Sequence, residues 1–227
     1  MKSLLSVSGL RVRLPTPSGL VTVVDRIDFE VERGQVFGVA GESGSGKTIS
    51  VLALLGLLPD GAVVEGSATF EGKELLGLGR RSLREIRGNE IGMVFQDPMT
   101  SLHPMLTVER QLTEHVRYHH GLDTAKARAR AVELLDEVRI PDPAGALRAF
   151  PHQFSGGMRQ RIAIAIALAC RPRLLIADEP TTALDVTVQA GILRLLDSLR
   201  SQAGLSVIMI THDLGVLSSI ADWLSVM

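Results

Sequence analysis

Apolar residues in this chain come in short unbroken runs, each followed by glycine or polar residues. Val36, Phe37, Val39 and Ala40 lead into a glycine-rich segment, and Ile49, Val51, Leu52, Ala53, Leu54 and Leu55 resume behind it at helix-like density. Ile91–Phe95, Leu174–Ala177 and Ser206–Ile210 are further short apolar runs bounded by turn or polar residues, which predicts buried strands. Val188–Ser201 puts Ile192, Leu195, Leu196 and Leu199 on one side of a helix. Ile162–Ala169 alternates Ile or Leu with Ala. Because alanine is apolar and the best helix former, the segment predicts a buried helix, with Ser155 as its N-cap and Pro172 beyond its end. Strands interleaved with helices predict an α/β fold.

The flanks of this core read differently. Leu4–Leu14, Leu20–Val24 and Ile27–Val31 read as short strands, the first two broken by Pro15, Pro17 and Gly19, and predict a small antiparallel sheet. Ser67–Phe70 adds a strand and Leu83–Arg87 a short helix. After Gln96-Asp97-Pro98 the character changes. Thr107–Tyr118 and Thr124–Arg139 read as helices, the second rich in Ala, Arg, Glu and Leu, and Pro141, Pro143, Gly145 and Pro151 mark the exit. Residues 97–157 are therefore expected to form a helical insertion, with 1–96 and 158–227 making up the core. A last helix is expected over Leu214–Ala221.

Composition narrows the setting. The chain has 227 residues with a formal net charge of −1, which argues against a broad nucleic-acid surface. One cysteine, Cys170, permits no intramolecular disulfide and sits in an apolar helix, where packing is its expected role. Met1, Lys2 and Ser3 open no long apolar signal segment, and the longest apolar run, Ile162 to Cys170, is far short of the roughly 20 residues a bilayer span needs. A soluble or peripheral protein is expected.

The chemistry begins at Gly41-Glu42-Ser43-Gly44-Ser45-Gly46-Lys47-Thr48. Strand, glycine-rich loop and helix in that order, with the spacing G-x-x-x-x-G-K-[ST], are the context of a phosphate-binding P-loop. Its glycines let successive N–H groups turn inward toward phosphate oxygens, and the helix N-terminus adds partial positive charge. Lys47 can reach the terminal phosphates, and the Thr48 hydroxyl can ligate Mg²⁺. A dinucleotide site is excluded by Ile49, which stands where the third glycine of that fingerprint belongs. At the end of the Leu174–Ala177 run come two carboxylates. Asp178 can hold Mg²⁺, and Glu179 is placed to polarise a water for attack on the γ-phosphorus. Ser155-Gly156-Gly157 opens the next helix as a second anion cradle, or else as an ordinary capped helix. One ATP does not need two cradles, so the second points to a nucleotide held by another subunit.

These residues together resemble the nucleotide-binding subunit of an ABC transporter. Ser155-Gly156-Gly157 followed by Met158-Arg159-Gln160 matches the family signature, Gln96 the Q-loop, Ala183-Leu184-Asp185 the D-loop and His212 the switch histidine, in the family's order along nearly the whole chain. Residues 95–102, 154–161, 177–189 and 210–216 are most similar to the oligopeptide and dipeptide importer group, which also includes nickel and glutathione systems. The resemblance implies a P-loop NTPase (RecA-like) core with an antiparallel β subdomain and an inserted helical subdomain. It implies ATP and Mg²⁺ as cofactors and two cassettes, as homodimer or heterodimer, sandwiching ATP between one P-loop and the other subunit's Ser155-Gly156-Gly157, with Asp185 at the interface. It implies that Gln96 senses metal and water, that His212 contacts the γ-phosphate, and that a membrane permease docks near Gln96–Leu102. The cassette would then lie peripherally on the cytoplasmic face of the membrane and serve an extracytoplasmic binding protein indirectly. Three departures stand out: Leu14 where the family often has an adenine-stacking aromatic, Phe154 where many members have leucine, and the lack of the extension past this end that the group usually carries.

Two other functions compete. A soluble ABC protein acting on DNA or ribosomes would usually carry two cassettes or long coiled-coil insertions, and a non-catalytic cassette would lack some of Lys47, Asp178, Glu179 and His212. His115 and His119 have a helical spacing that can bind metal but no third ligand by sequence. His103, His120 and His152 read as surface residues, and Tyr118 and Trp223 as packing or partner contacts.

Overall fold

The computed structural model describes residues 3–97, 101–182 and 184–227. In chain order the elements are β1 (Leu5–Thr16), β2 (Gly19–Val31), β3 (Val36–Ala40), α1 (Lys47–Leu54), β4 (Val63–Phe70), β5 (Lys73–Glu74), α2 (Arg80–Ile86) and β6 (Ile91–Val94). They continue with α3 (Val108–His120), α4 (Thr124–Glu137), α5 (Pro143–Ala146), a 3-10 turn at Pro151–Gln153, α6 (Gly156–Ala167), β7 (Leu174–Asp178), α7 (Val186–Ala203), β8 (Ser206–Thr211), α8 (Leu214–Ile220) and β9 (Trp223–Val226). They gather into two compact units. One runs to Arg84 and takes in Ser206–Met227; the other is Glu85–Leu205.

The first unit holds two sheets. The antiparallel one runs β2-β1-β4-β5. Its first two strands are longer than the sequence suggests, because Pro15, Pro17 and Gly19 shape a hairpin rather than break strands. Pro15 pairs with Leu20 and Thr16 with Gly19, leaving Pro17-Ser18 as the turn. The second expected break, at Asp25-Arg26, is an irregularity inside one strand, with Arg26 at φ 52. The other sheet is parallel, β3 lying between β8 and β9. Every residue of β3 and of β8 is buried, as the apolar runs predict. β9 is a strand the sequence does not announce. Asp222 draws it in: its carboxylate accepts the Val36 N–H at 2.8 Å, and its own N–H donates to the Val36 carbonyl at 2.9 Å.

In the second unit β6 and β7 pair in parallel, with Val94 opposite Ala177. The helices obey their caps. Thr107 opens α3, Asp123 α4, Ser155 α6 and Asp185 α7, each accepting an N–H from the first turn. Leu112, Val116, Leu134 and Leu135 are buried between α3 and α4, and Arg128 reaches Glu109 at 2.7 Å on their exposed side. As expected, α6 is buried nearly all round, through Ile162, Ala163, Ile164, Ala165 and Ala167. Of the residues read as an exit from the helical segment, Pro143 takes the first helical position of α5, where Asp142 caps the turn, and Pro151 opens the 3-10 turn.

Candidate functional site

In the first unit the site is built where β3 ends. Gly41 to Gly46 turn out of the strand, and α1 begins on Gly46 at φ 98, a left-handed cap that gives the helix no side-chain bond. A Cβ on Gly46 would lie 2.8 Å from the Val23 carbonyl oxygen, so only glycine fits. Lys47 is 6% exposed despite its charge. Its Nζ donates to the carbonyls of Glu42 at 2.7 Å and Gly41 at 2.9 Å, so the ammonium sits within the loop that names it. The parallel pairing sets Ala40 opposite Thr211, which brings the residue before the loop beside the residue before His212. Asp213 holds that corner by accepting the N–H groups of Gly215 and Val216 at 2.8 and 3.2 Å. His212 thus follows the strand that runs beside the one leading into the cradle, though it is far from the cradle in sequence.

In the second unit the same device acts on carboxylates. Asp178 closes β7, 3% exposed, and Glu179 follows it. Because Val94 lies opposite Ala177, the chain after β6 emerges beside them, and Gln96 Nε2 donates to Glu179 Oε2 at 3.0 Å. Thr182 Oγ1 donates to the same oxygen at 2.8 Å. At the start of α6 the Ser155 hydroxyl accepts the Met158 N–H at 3.3 Å. A Cβ on Gly157 would lie 2.4 Å from Val188 Cγ1 on α7.

A loop that wraps a lysine, a histidine at the end of the strand beside that loop's strand, and a buried aspartate followed by a glutamate bonded to a glutamine are the parts of a nucleoside-triphosphatase. The family model described as "ABC transporter" matches residues 24–182, from within β2 to the turn after Glu179.

The chain belongs to the ABC transporter family.

As a member it binds and hydrolyses ATP. It is 52% identical over its full length to the oligopeptide transport ATP-binding protein OppD of Haemophilus influenzae, covering 70% of that protein. It is 51% identical to the OppD of Salmonella typhimurium, over 99% of this chain and 67% of that one. Among solved structures it resembles the dimeric post-hydrolysis state of the ATP-binding cassette MJ0796 bound to ADP and Pi, with a TM-score of 0.86, 26% identity, and coverage of 98% of this chain and 94% of that one. The α/β P-loop architecture expected from the motifs is the one this cassette has.

The cassette places its remaining motif residues as follows. Thr48 lies in the first turn of α1, half-buried, with Glu42, Ser43 and Gly44 exposed on the loop. The Asp185 carboxylate accepts the Val188 N–H at 2.9 Å and so caps α7, while Val186 beside it is 83% exposed. Ala183 of the D-loop and Pro98–Thr100 after the Q-loop lie outside the described residues. Leu14, in the place of the adenine-stacking aromatic, pairs with Val21 in the β1–β2 hairpin. Sequence reasoning missed Thr182 and Val188. The signal for Thr182 was its place at the end of a proline turn that starts on Glu179.

The histidines separate. His115 and His119 both face Gly88, whose Cβ would lie 3.3 Å from His115 Nδ1 and 3.8 Å from His119 Nε2. Burial pushes His115 below the ordinary histidine range, and burial with the neighbouring His115 and His120 does the same to His119. His120 is bonded to Asn89 at 3.1 Å. Burial pushes the Cys170 thiol up to about 11, which fits packing and not nucleophilic chemistry. Trp223 is 67% exposed on β9. Among the described residues no helix is long and apolar enough to cross a membrane.

Proposed function

We propose that this cassette is the energy-coupling ATPase of an importer for di- or oligopeptides. The observation that carries its catalytic half is the Gln96–Glu179 bond at 3.0 Å, which holds the carboxylate just past a buried strand under a donor from the segment after the neighbouring strand. In this reading Glu179 polarises the attacking water, His212 contacts the γ-phosphate, and Gln96 leaves Glu179 to follow metal and water. The cradle from Gly41 to Thr48 holds the phosphates with its N–H groups and with Lys47. The Thr48 hydroxyl, the Gln96 amide oxygen and the Asp178 carboxylate are hard oxygen donors of the kind Mg²⁺ takes, and these residues would hold it. Bound there, Mg²⁺ would neutralise charge on the β- and γ-phosphates.

Two cassettes would close on two ATPs, each meeting the partner's Ser155-Gly156-Gly157, with Asp185 at the interface. The naming of the OppD relatives as oligopeptide transport proteins supports peptides as the cargo class. The transport reading adds a membrane permease as partner, an extracytoplasmic binding protein acting through it, a place on the cytoplasmic face of the membrane, and no nucleic acid. The test is to recover the tagged chain from its host's membranes and identify its companions by mass spectrometry. Polytopic membrane proteins accompanied by a peptide-binding protein are expected. Ribosomal or DNA-repair proteins without a permease would overturn the transport reading and leave the ATPase.

A further inference from the structure

Glu179 begins a tight turn. It is one of the few non-glycine residues with a left-handed backbone, at φ 46. Pro180 follows with its fixed φ, and the Thr182 N–H returns to the Glu179 carbonyl at 3.2 Å. Such strain persists at functional sites when the surroundings over-determine it. Here the turn carries the Thr182 hydroxyl back to the side chain of the residue that opened it, where it donates to Glu179 Oε2 at 2.8 Å. Gln96 Nε2 donates to the same oxygen, but from the segment after β6 and from an exposed position. The two donors therefore differ in kind. Gln96 can depart with its loop, whereas Thr182 is tethered three residues from the carboxylate by a proline turn.

We infer that Thr182 is a positioning residue for hydrolysis: its hydroxyl holds the Glu179 carboxylate in one orientation after Gln96 has turned to the nucleotide. An O–H donor to one carboxylate oxygen fixes which oxygen remains to face water. The inference rests on the reading of Glu179 as the group that polarises water.

The experiment compares Thr182→Val, Thr182→Ser and Glu179→Gln in the full chain, by steady-state hydrolysis against Mg–ATP concentration. Valine keeps the shape and removes the donor. Thr182→Val is expected to lower kcat about fivefold to tenfold at unchanged KM for ATP. Thr182→Ser restores kcat, and Glu179→Gln has no turnover. Parent kcat in Thr182→Val, beside an inactive Glu179→Gln, would overturn the inference and leave the Glu179 reading intact. A loss of kcat that serine does not restore would also overturn it, since that is a structural effect. Full turnover in Glu179→Gln would remove the reading on which it rests.

Discussion

Two helices of this cassette start on glycine-rich segments, and they start in opposite ways. At α1 the cap is Gly46 in a left-handed conformation with no side-chain bond, and the adjoining lysine is buried against its own loop. At α6 the cap is Ser155 in an ordinary extended conformation, already accepting the Met158 N–H, and Gly157 is there because Val188 leaves no room for a Cβ. The first start is shaped for an anion and braced from within. The second is a satisfied helix terminus whose glycines answer partly to packing. Similar composition at two helix starts therefore has two physical causes, and substitutions can separate them.

The largest effect is expected at the braced loop. Lys47→Ala removes the ammonium that bridges the Gly41 and Glu42 carbonyls as well as the charge offered to the phosphates. Hydrolysis should fall by about 10²- to 10³-fold, the scale seen when a preorganised donor to developing charge is deleted. Steady-state phosphate release measures it. Turnover near the parent value would mean that the lysine serves only to hold its loop, and the contrast between the two helix starts would lose its first half.

At α6 the expected effect is on stability first. Gly157→Ala drives a Cβ to 2.4 Å from Val188 Cγ1, an overlap the α6–α7 contact must relax at a cost of about 1–3 kcal/mol. The unfolding midpoint should drop by about 2–4 °C for each kcal/mol. The remedy is specific. Val188→Ala leaves only the Val188 Cβ, 3.6 Å away, so the double variant should recover most of the midpoint. A single variant as stable as the parent would show that Gly157 is not a packing residue.

The contrast also marks what a reader of the sequence can see. The cradle, the carboxylates after β7 and the capped start of α6 were legible because their chemistry is local: glycine spacing, an apolar run and a serine before a helix are enough. The antiparallel sheet was legible as a class of element but not in its hairpin, since Pro15 and Gly19 read as breakers until the pairing with Leu20 and Thr16 is known. β9 was illegible because Asp222, not a strand-like pattern, places it against Val36. Thr182 and Val188 were missed for the same reason. Each matters through one contact with a side chain or glycine that only the folded chain supplies: Glu179 across the proline turn, and Gly157 across two helices. Motif recognition finds the groups that touch the nucleotide and passes over those that hold them.

The smallest expected change in stability is also the sharpest probe of the second helix start. Gly156 is helical, and among the described residues a Cβ there would meet only Leu184 Cδ2 at 3.7 Å, an ordinary contact. Gly156→Ala should therefore leave the unfolding midpoint unchanged or raise it slightly, since alanine restricts the unfolded chain by about 0.4–1 kcal/mol where its conformation is allowed. Packing thus assigns this glycine no duty. If it nevertheless faces a nucleotide held by a partner cassette, the added methyl group blocks that approach, and hydrolysis should fall while the midpoint holds. Calorimetry and phosphate release on the same sample give both readings. Stability and turnover that both stay at the parent level would leave α6 as an ordinary capped helix and would remove Gly156 from the dimer's nucleotide contact.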